Sequence, residues 1–175
     1  MSDDKNLDIR KHGFHAVEED FGIKILKNGT WLHQGRPIKR LPLVKLFATV
    51  LKIDEKGDYW LQTPVERGRI EVEDKPFLAV EMQVESSEKG QNLLFRTNLD
   101  DWVTVDAAHP LLFDDTPYVM VRDGLAARLN RATYYALMEM AAPAAGDVKA
   151  YGVRSGGVFF PVARIAADTK IKEQE

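Results

Sequence analysis

The residues of this chain best suited to chemistry are arginines set beside hydroxyl, amide and carboxylate groups. Thr63, Glu66 and Arg69 fall within TPVERGR, and Arg96, Thr97 and Asn98 within FRTN. A guanidinium offers paired donors that match a carboxylate or a phosphate. Both runs end strand-like segments, so they are expected to face a common cleft, although solvated strand faces account for the same residues. Arg128 is the third candidate. Asp123-Gly124 reads as a two-residue hairpin turn, which pairs Val119 with Arg128 and puts the guanidinium on a face with Val119, Val121 and Ala126. An unpaired buried charge is costly. Arg128 must therefore snorkel to solvent or reach a carboxylate, or a ligand's anionic group, at the junction between the two halves.

Other constellations carry less. His12 and His15 lack acidic or cysteine partners at metal-ligand spacing. His33 sits in a short strand beside Trp31, and His109 precedes Pro110 in an irregular stretch, where a turn role accounts for it. Asp100-Asp101 follows FRTNL and reads as a turn, because adjacent carboxylates on a strand point to opposite faces. Gly152, Gly156 and Gly157 precede a strand, not the helix that a phosphate-binding glycine loop requires. No serine occupies a G-x-S-x-G elbow. Hence no catalytic residue, metal ligand or cofactor is assigned.

Composition narrows the classes further. The 175 residues are 45% hydrophobic and 29% charged with net charge −3, as in a folded domain without a general attraction to nucleic acid. The absence of cysteine excludes disulfides, thiolate metal sites and cysteine nucleophiles. The N-terminus lacks an apolar signal core, and no apolar run approaches the roughly 20 residues that span a bilayer. A cytoplasmic location without a membrane span is expected.

The elements that must position these residues are mostly strands. Asn28-Gly29 signals a hairpin. Pro42 can open a helix near 42–52, with Leu43, Leu46, Phe47, Val50 and Leu51 forming its apolar stripe and Lys45, Thr49 and Lys52 opposite. RIEVE turns Ile70 and Val72 inward, and FLAVEMQVE alternates Leu78, Val80, Met82 and Val84 against polar neighbours. Residues 106–116 are the longest irregular stretch and a linker candidate. Asn130 can cap a second helix near 131–141, with a stripe of Tyr134, Leu137, Met138 and Ala141. Segments 23–65 and 117–163 share an order of hairpin, helix, turn and strand, which suggests an internal duplication.

The runs GTWLHQGRPIKRLPLVKLFATVLK, YWLQTPVE, VEDKPFLAVEM, FRTNLDDWVT, PYVMVRDGLAARLNRATYYALM and VRSGGVFFPV resemble a bacterial family catalogued as domain of unknown function 1285, in order, across most of 23–163. The resemblance implies a duplicated core and a C-terminal part similar to pleckstrin-homology-like folds. It also implies a nucleotide-like ligand between the parts and a role in signal transduction.

The expected molecule is α+β and mostly β, with two related halves, each carrying one helix packed on an antiparallel sheet. Residues 1–20 form a flexible arm, 21–76 and 77–165 the halves, and 166–175 an exposed tail. Its expected function is non-enzymatic: binding or regulation through a small anionic, nucleotide-like ligand between the halves. The alternatives are a pleckstrin-like adaptor for a protein partner, or an enzyme acting on that ligand.

Overall fold

The computed structural model describes residues 18–164. The expectations for 1–17 and 165–175, including His12 and His15, lie outside the described residues. Residues 18–20, expected in the arm, already belong to the first strand.

The first sheet is built from β1 (Glu18–Ile25), β2 (Trp31–His33), β3 (Arg36–Pro37), β4 (Leu51–Ile53), β5 (Tyr59–Gln62) and β6 (Arg67–Val72), in the order β3-β2-β1-β6-β5-β4. The second contains β7 (Phe77–Ser87), β8 (Gly90–Thr97), β9 (Trp102–Thr104), β10 (Leu111–Phe113), β11 (Pro117–Arg122) and β12 (Leu125–Leu129), in the order β10-β11-β12-β7-β8-β9. Both sheets follow one path. The chain runs from a central strand out to one edge, crosses to the opposite edge, and returns to pair parallel with its own first strand. The crossing is helix α1 (Leu41–Thr49) in the first sheet and residues 105–110 in the second.

This path relocates the duplication. The repeated unit is the six-strand circuit, 18–72 matched with 77–129, and not hairpin–helix–strand over 23–65 and 117–163. Helix α2 (Arg131–Met140) follows the last strand of its circuit, whereas α1 lies inside one. The chain then forms a separate sheet of β13 (Ala142–Ala144), β14 (Asp147–Ser155) and β15 (Val158–Arg164). Hairpin and helix signals are local and record nothing of which strands later pair. Residues 106–116, read as a linker, are an internal crossing plus β10, and the passage between the halves is the short run 73–76.

Two apolar patterns also differ from expectation. Helix α1 ends at Thr49, because Leu51 pairs with Leu61 in β4–β5. It buries Val44 and Ala48 and leaves Leu46 61% exposed, so the buried stripe is rotated from the expected one. In β7 a bulge between Ala79 and Glu81 breaks the alternation; Phe77 and Ala79 are buried while Val84 is exposed. One extra residue in a strand exchanges its faces. Other local readings hold. Ile70 is buried, Asn28-Gly29 and Asp123-Gly124 turn their hairpins, and the Asn130 side chain accepts the Thr133 N–H at 2.9 Å as helix cap.

The small third sheet and α2 close over the second sheet, with α2 against β7 and β14 against β8. Ser155 bolts them together: its Oγ accepts the Leu93 N–H at 2.8 Å and donates to the Val105 carbonyl at 2.6 Å. Buried residues of both halves, from Ile23 to Val162, form one continuous apolar cluster.

Candidate functional site

The two halves meet along α1. Its last turn is held from the other half by Arg122, whose Nη2 donates to the Ala48 carbonyl. Such a contact caps a carbonyl of the last turn and sets a cation at the negative end of the helix. Lys45 of α1 crosses to Asp100 at 2.8 Å, and Asp100 also receives Arg96 at 3.0 Å. The Lys45 hydrogen bond holds the Asp100 carboxyl below the usual carboxylate range. Asp100 can serve this corner because it adopts φ 68° in the tight β8–β9 turn.

Beside these contacts lies a groove of about 980 Å³ walled by both halves. Lys45, Thr49 and Lys52 come from the first half; Asp101, Trp102, Thr104, Asp106, His109 and Asp123 come from the second. The Trp102 side chain is exposed on edge strand β9. Lys52 has no ion-pair partner among the described residues. His109 Nδ1 lies 3.0 Å from Asp106 Oδ1, which also accepts the His109 and Ala108 backbone N–H groups at 2.7 and 2.9 Å. Burial opposes ionisation of Asp106, but these bonds outweigh it and hold its carboxyl below the usual range. An Nδ1–H directed at Asp106 leaves Nε2 as the acceptor of the imidazole.

The seven residues expected to bind ligand do not gather in one cleft. Thr63 Oγ1 accepts the Val65 and Glu66 N–H groups at 3.3 and 3.1 Å within the β5–β6 turn, and Glu66 is exposed there. Arg69 pairs with Asp58 along a separate shallow groove on the first half. Arg96 is held between Glu81, at 2.7 Å, and Asp100. Thr97 is buried, and its Oγ1 accepts the Leu99 and Asp101 N–H groups. Asn98 accepts the Leu78 N–H at 3.0 Å through its side chain, and Gly29 of the first half packs directly against it. The common-cleft expectation fails because these side chains find intramolecular partners first.

Arg128 finds its partner across the two halves. The β11–β12 register is Arg122↔Leu125, Met120↔Ala126 and Tyr118↔Arg128, with a bulge between Met120 and Arg122. The extra residue moves Arg128 off the expected face with Val119 and Val121 and sets it beside Tyr118. There it grips Asp74 of the first half with Nε at 2.8 Å and Nη2 at 2.7 Å, and Asp114 with Nη1 at 2.6 Å. Arg128 thus ties the halves together, outside the groove.

Sequence reasoning passed over Lys52, Trp102 and Asp106. The Asp106–His109 spacing of three was visible as an Asx-type turn. Lys52 carried no signal, since only the packing of the first half against the second brings this β4 residue to the groove.

Two family models cover these halves. The domain of unknown function (DUF1285), N-terminal domain, matches residues 15–75, and the C-terminal domain of the same family matches residues 76–162. The fold is thus a two-part, circuit-duplicated β protein. The chain belongs to the DUF1285 family. A DUF1285 family protein from Silicibacter pomeroyi DSS-3 is 34% identical, with a TM-score of 0.78 over 87% of this chain and 85% of that one. A second, from Shewanella baltica OS155, is 31% identical, with a TM-score of 0.57 over 67% of this chain and 91% of that one. No curated protein matches the chain.

Proposed function

We propose that this protein is a non-enzymatic binding or regulatory protein that holds a small molecule in the groove between its halves. The observation that carries this reading is the groove itself, to which both halves contribute walls. Pockets at domain junctions are a common place for ligands. The unpaired Lys52 ammonium suits an anionic group, and the exposed Trp102 indole suits a planar ring. Stacking a base on an aromatic side chain is worth about 1–3 kcal/mol. Asp101, Asp106 and Asp123 line the second-half wall, which leaves Lys52 as the unpaired first-half cation for an anionic group. A nucleotide-like ligand fits these demands. Its role in signal transduction is part of the proposal and rests on the family resemblance alone; a cytoplasmic location is proposed with it and rests on the composition of the sequence.

A thermal-shift series over mono-, di- and cyclic nucleotides tests this. A ligand at 100 times its Kd adds about 2.7 kcal/mol, and each kcal/mol moves the midpoint by about 2–4 °C for a chain of this size. The shift should vanish in Trp102→Ala and Lys52→Ala. Flat curves would favour the pleckstrin-like adaptor instead.

The Asp106–His109 pair in the same groove favours a second reading, an enzyme acting on that ligand with His109 as general base. Chromatography of the nucleotide after incubation separates the two. A binder returns it intact, whereas an enzyme depletes it at a rate proportional to protein and sensitive to His109→Gln.

A further inference from the structure

From Phe21 to Ile53 the chain carries seven basic residues and no acidic one, although its net charge is −3. Two of the seven are engaged: Lys24 with Glu71 and Glu73, and Lys45 with Asp100. Arg36, Lys39 and Arg40 are exposed and have no ion-pair partner among the described residues. They lie in β3 and in the residues that lead into α1, and exposed His33 stands opposite Arg36 in the β2–β3 ladder. Next to them α1 presents an apolar outer face. Leu41 and Pro42 are exposed and Leu46 is more so. Pro42 and Leu46 are one turn apart and share that face. Lys45, the helix's one charged residue, is turned to Asp100. A surface helix ordinarily sets charged residues outward, and α1 sets none there.

We propose that this face, Leu41, Pro42 and Leu46 flanked by Arg36, Lys39 and Arg40, docks an acidic segment of a partner protein that carries an apolar anchor. Guanidinium groups engage carboxylates bidentately, and the leucines supply apolar area beside them. The charge distribution selects this occupant over an anionic membrane. Arg36, Lys39 and Arg40 lie at the N-terminal end of α1. Its other end opens on the groove, where Asp100, Asp101, Asp106 and Asp123 outnumber Lys45, Lys52 and Arg122. A uniformly anionic bilayer laid along the helix is attracted at one end and repelled at the other. A protein segment with its carboxylates at one end matches both. Leu41, Pro42 and Leu46 do not line the groove, so the docking face stands independently of the ligand reading.

The test is photo-cross-linking of the full chain in its native cells. A photoreactive amino acid replaces Leu46, and a control replaces Val148, which is 74% exposed on β14. Position 46 should label one protein segment in which two or more carboxylates neighbour an apolar side chain. Arg36→Glu, Lys39→Glu and Arg40→Glu combined should cut that yield roughly tenfold or more with the melting midpoint unchanged. If the triple variant melts early, the probe at Leu41 combined with Leu46→Asp makes the same comparison at exposed positions. The proposal is overturned by labelling no stronger than at Val148, or by labelling indifferent to charge reversal. It is equally overturned by cross-links to uncharged segments or to this chain's own residues. Sedimentation of the protein with phosphatidylglycerol vesicles, lost in the triple variant, would replace the protein partner with a membrane.

Discussion

Arg128 and Asp74 form a two-point ion pair between the halves, with Nε and Nη2 of one facing both carboxylate oxygens of the other at 2.8 and 2.7 Å. The Arg128 side chain is 14% exposed and that of Asp74 22%. The pair sits at the end of the short passage that joins the two sheets, so it fixes how the second circuit leaves the first. Arg128→Ala should destabilise the protein by about 1.5–3 kcal/mol, the range for hydrogen bonds to charged groups, as read from urea unfolding. Affinity for any groove ligand should stay unchanged, because Arg128 does not line the groove. Lost affinity with intact stability would contradict this assignment.

The same cluster predicts a pH dependence. Arg128 hydrogen bonds hold the Asp74 and Asp114 carboxyls below the usual range, against partial burial, and Asp114 is depressed the more strongly. A carboxyl depressed in the folded state contributes stability that is fully present above its unfolded value, about 3.9. That contribution is lost as pH falls through the folded values. Wild-type urea midpoints should therefore decline from about pH 4 downward. Asp74→Asn with Asp114→Asn should start lower and decline less steeply, and parallel curves would show that the cluster does not govern acid sensitivity.

Gly68 is required by Phe21. A Cβ at position 68 would overlap the Phe21 ring, which lies across β6 where β1 shifts register between Asp20 and Lys24. Gly68→Ala should cost about 1–3 kcal/mol by overpacking. Phe21→Ala in the same chain should recover part of that loss, so a double-mutant cycle measures the coupling. Additive losses would refute the contact.

Ser155→Ala removes the bolt between the third sheet and the second. Ser155 is fully buried, and the change leaves the Leu93 N–H without its side-chain acceptor. An unsatisfied buried donor costs about 1–3 kcal/mol. Hydrogen exchange should accelerate at Leu93 and along β14, while amides of the first sheet keep their protection. A uniform acceleration across the chain would argue against a local bolt.

Turns, caps and element order were legible in the sequence because they depend on residues a few positions apart. Asn130 could be read as a cap, Asp123-Gly124 as a turn and Ile70 as core, since backbone φ preference, side-chain capping and strand alternation act locally. The family resemblance, with its two-part organisation, was legible too, because it is carried by the order of whole sequence runs. Tertiary structure decided the rest. Single-residue bulges at Ala79–Glu81 and Met120–Arg122 changed which side chains face the core, and no local pattern announces an extra residue in a ladder. The parallel closure of each circuit joins strands separated by most of a half, so the true repeat could not be inferred from hairpin and helix order. Arg96 and Asn98 were drawn into structural partnerships, while Lys52 and Trp102, unremarkable in sequence, came to share a groove. Which polar side chain remains available to a ligand depends on which others find partners when distant strands meet, and that is fixed only by packing.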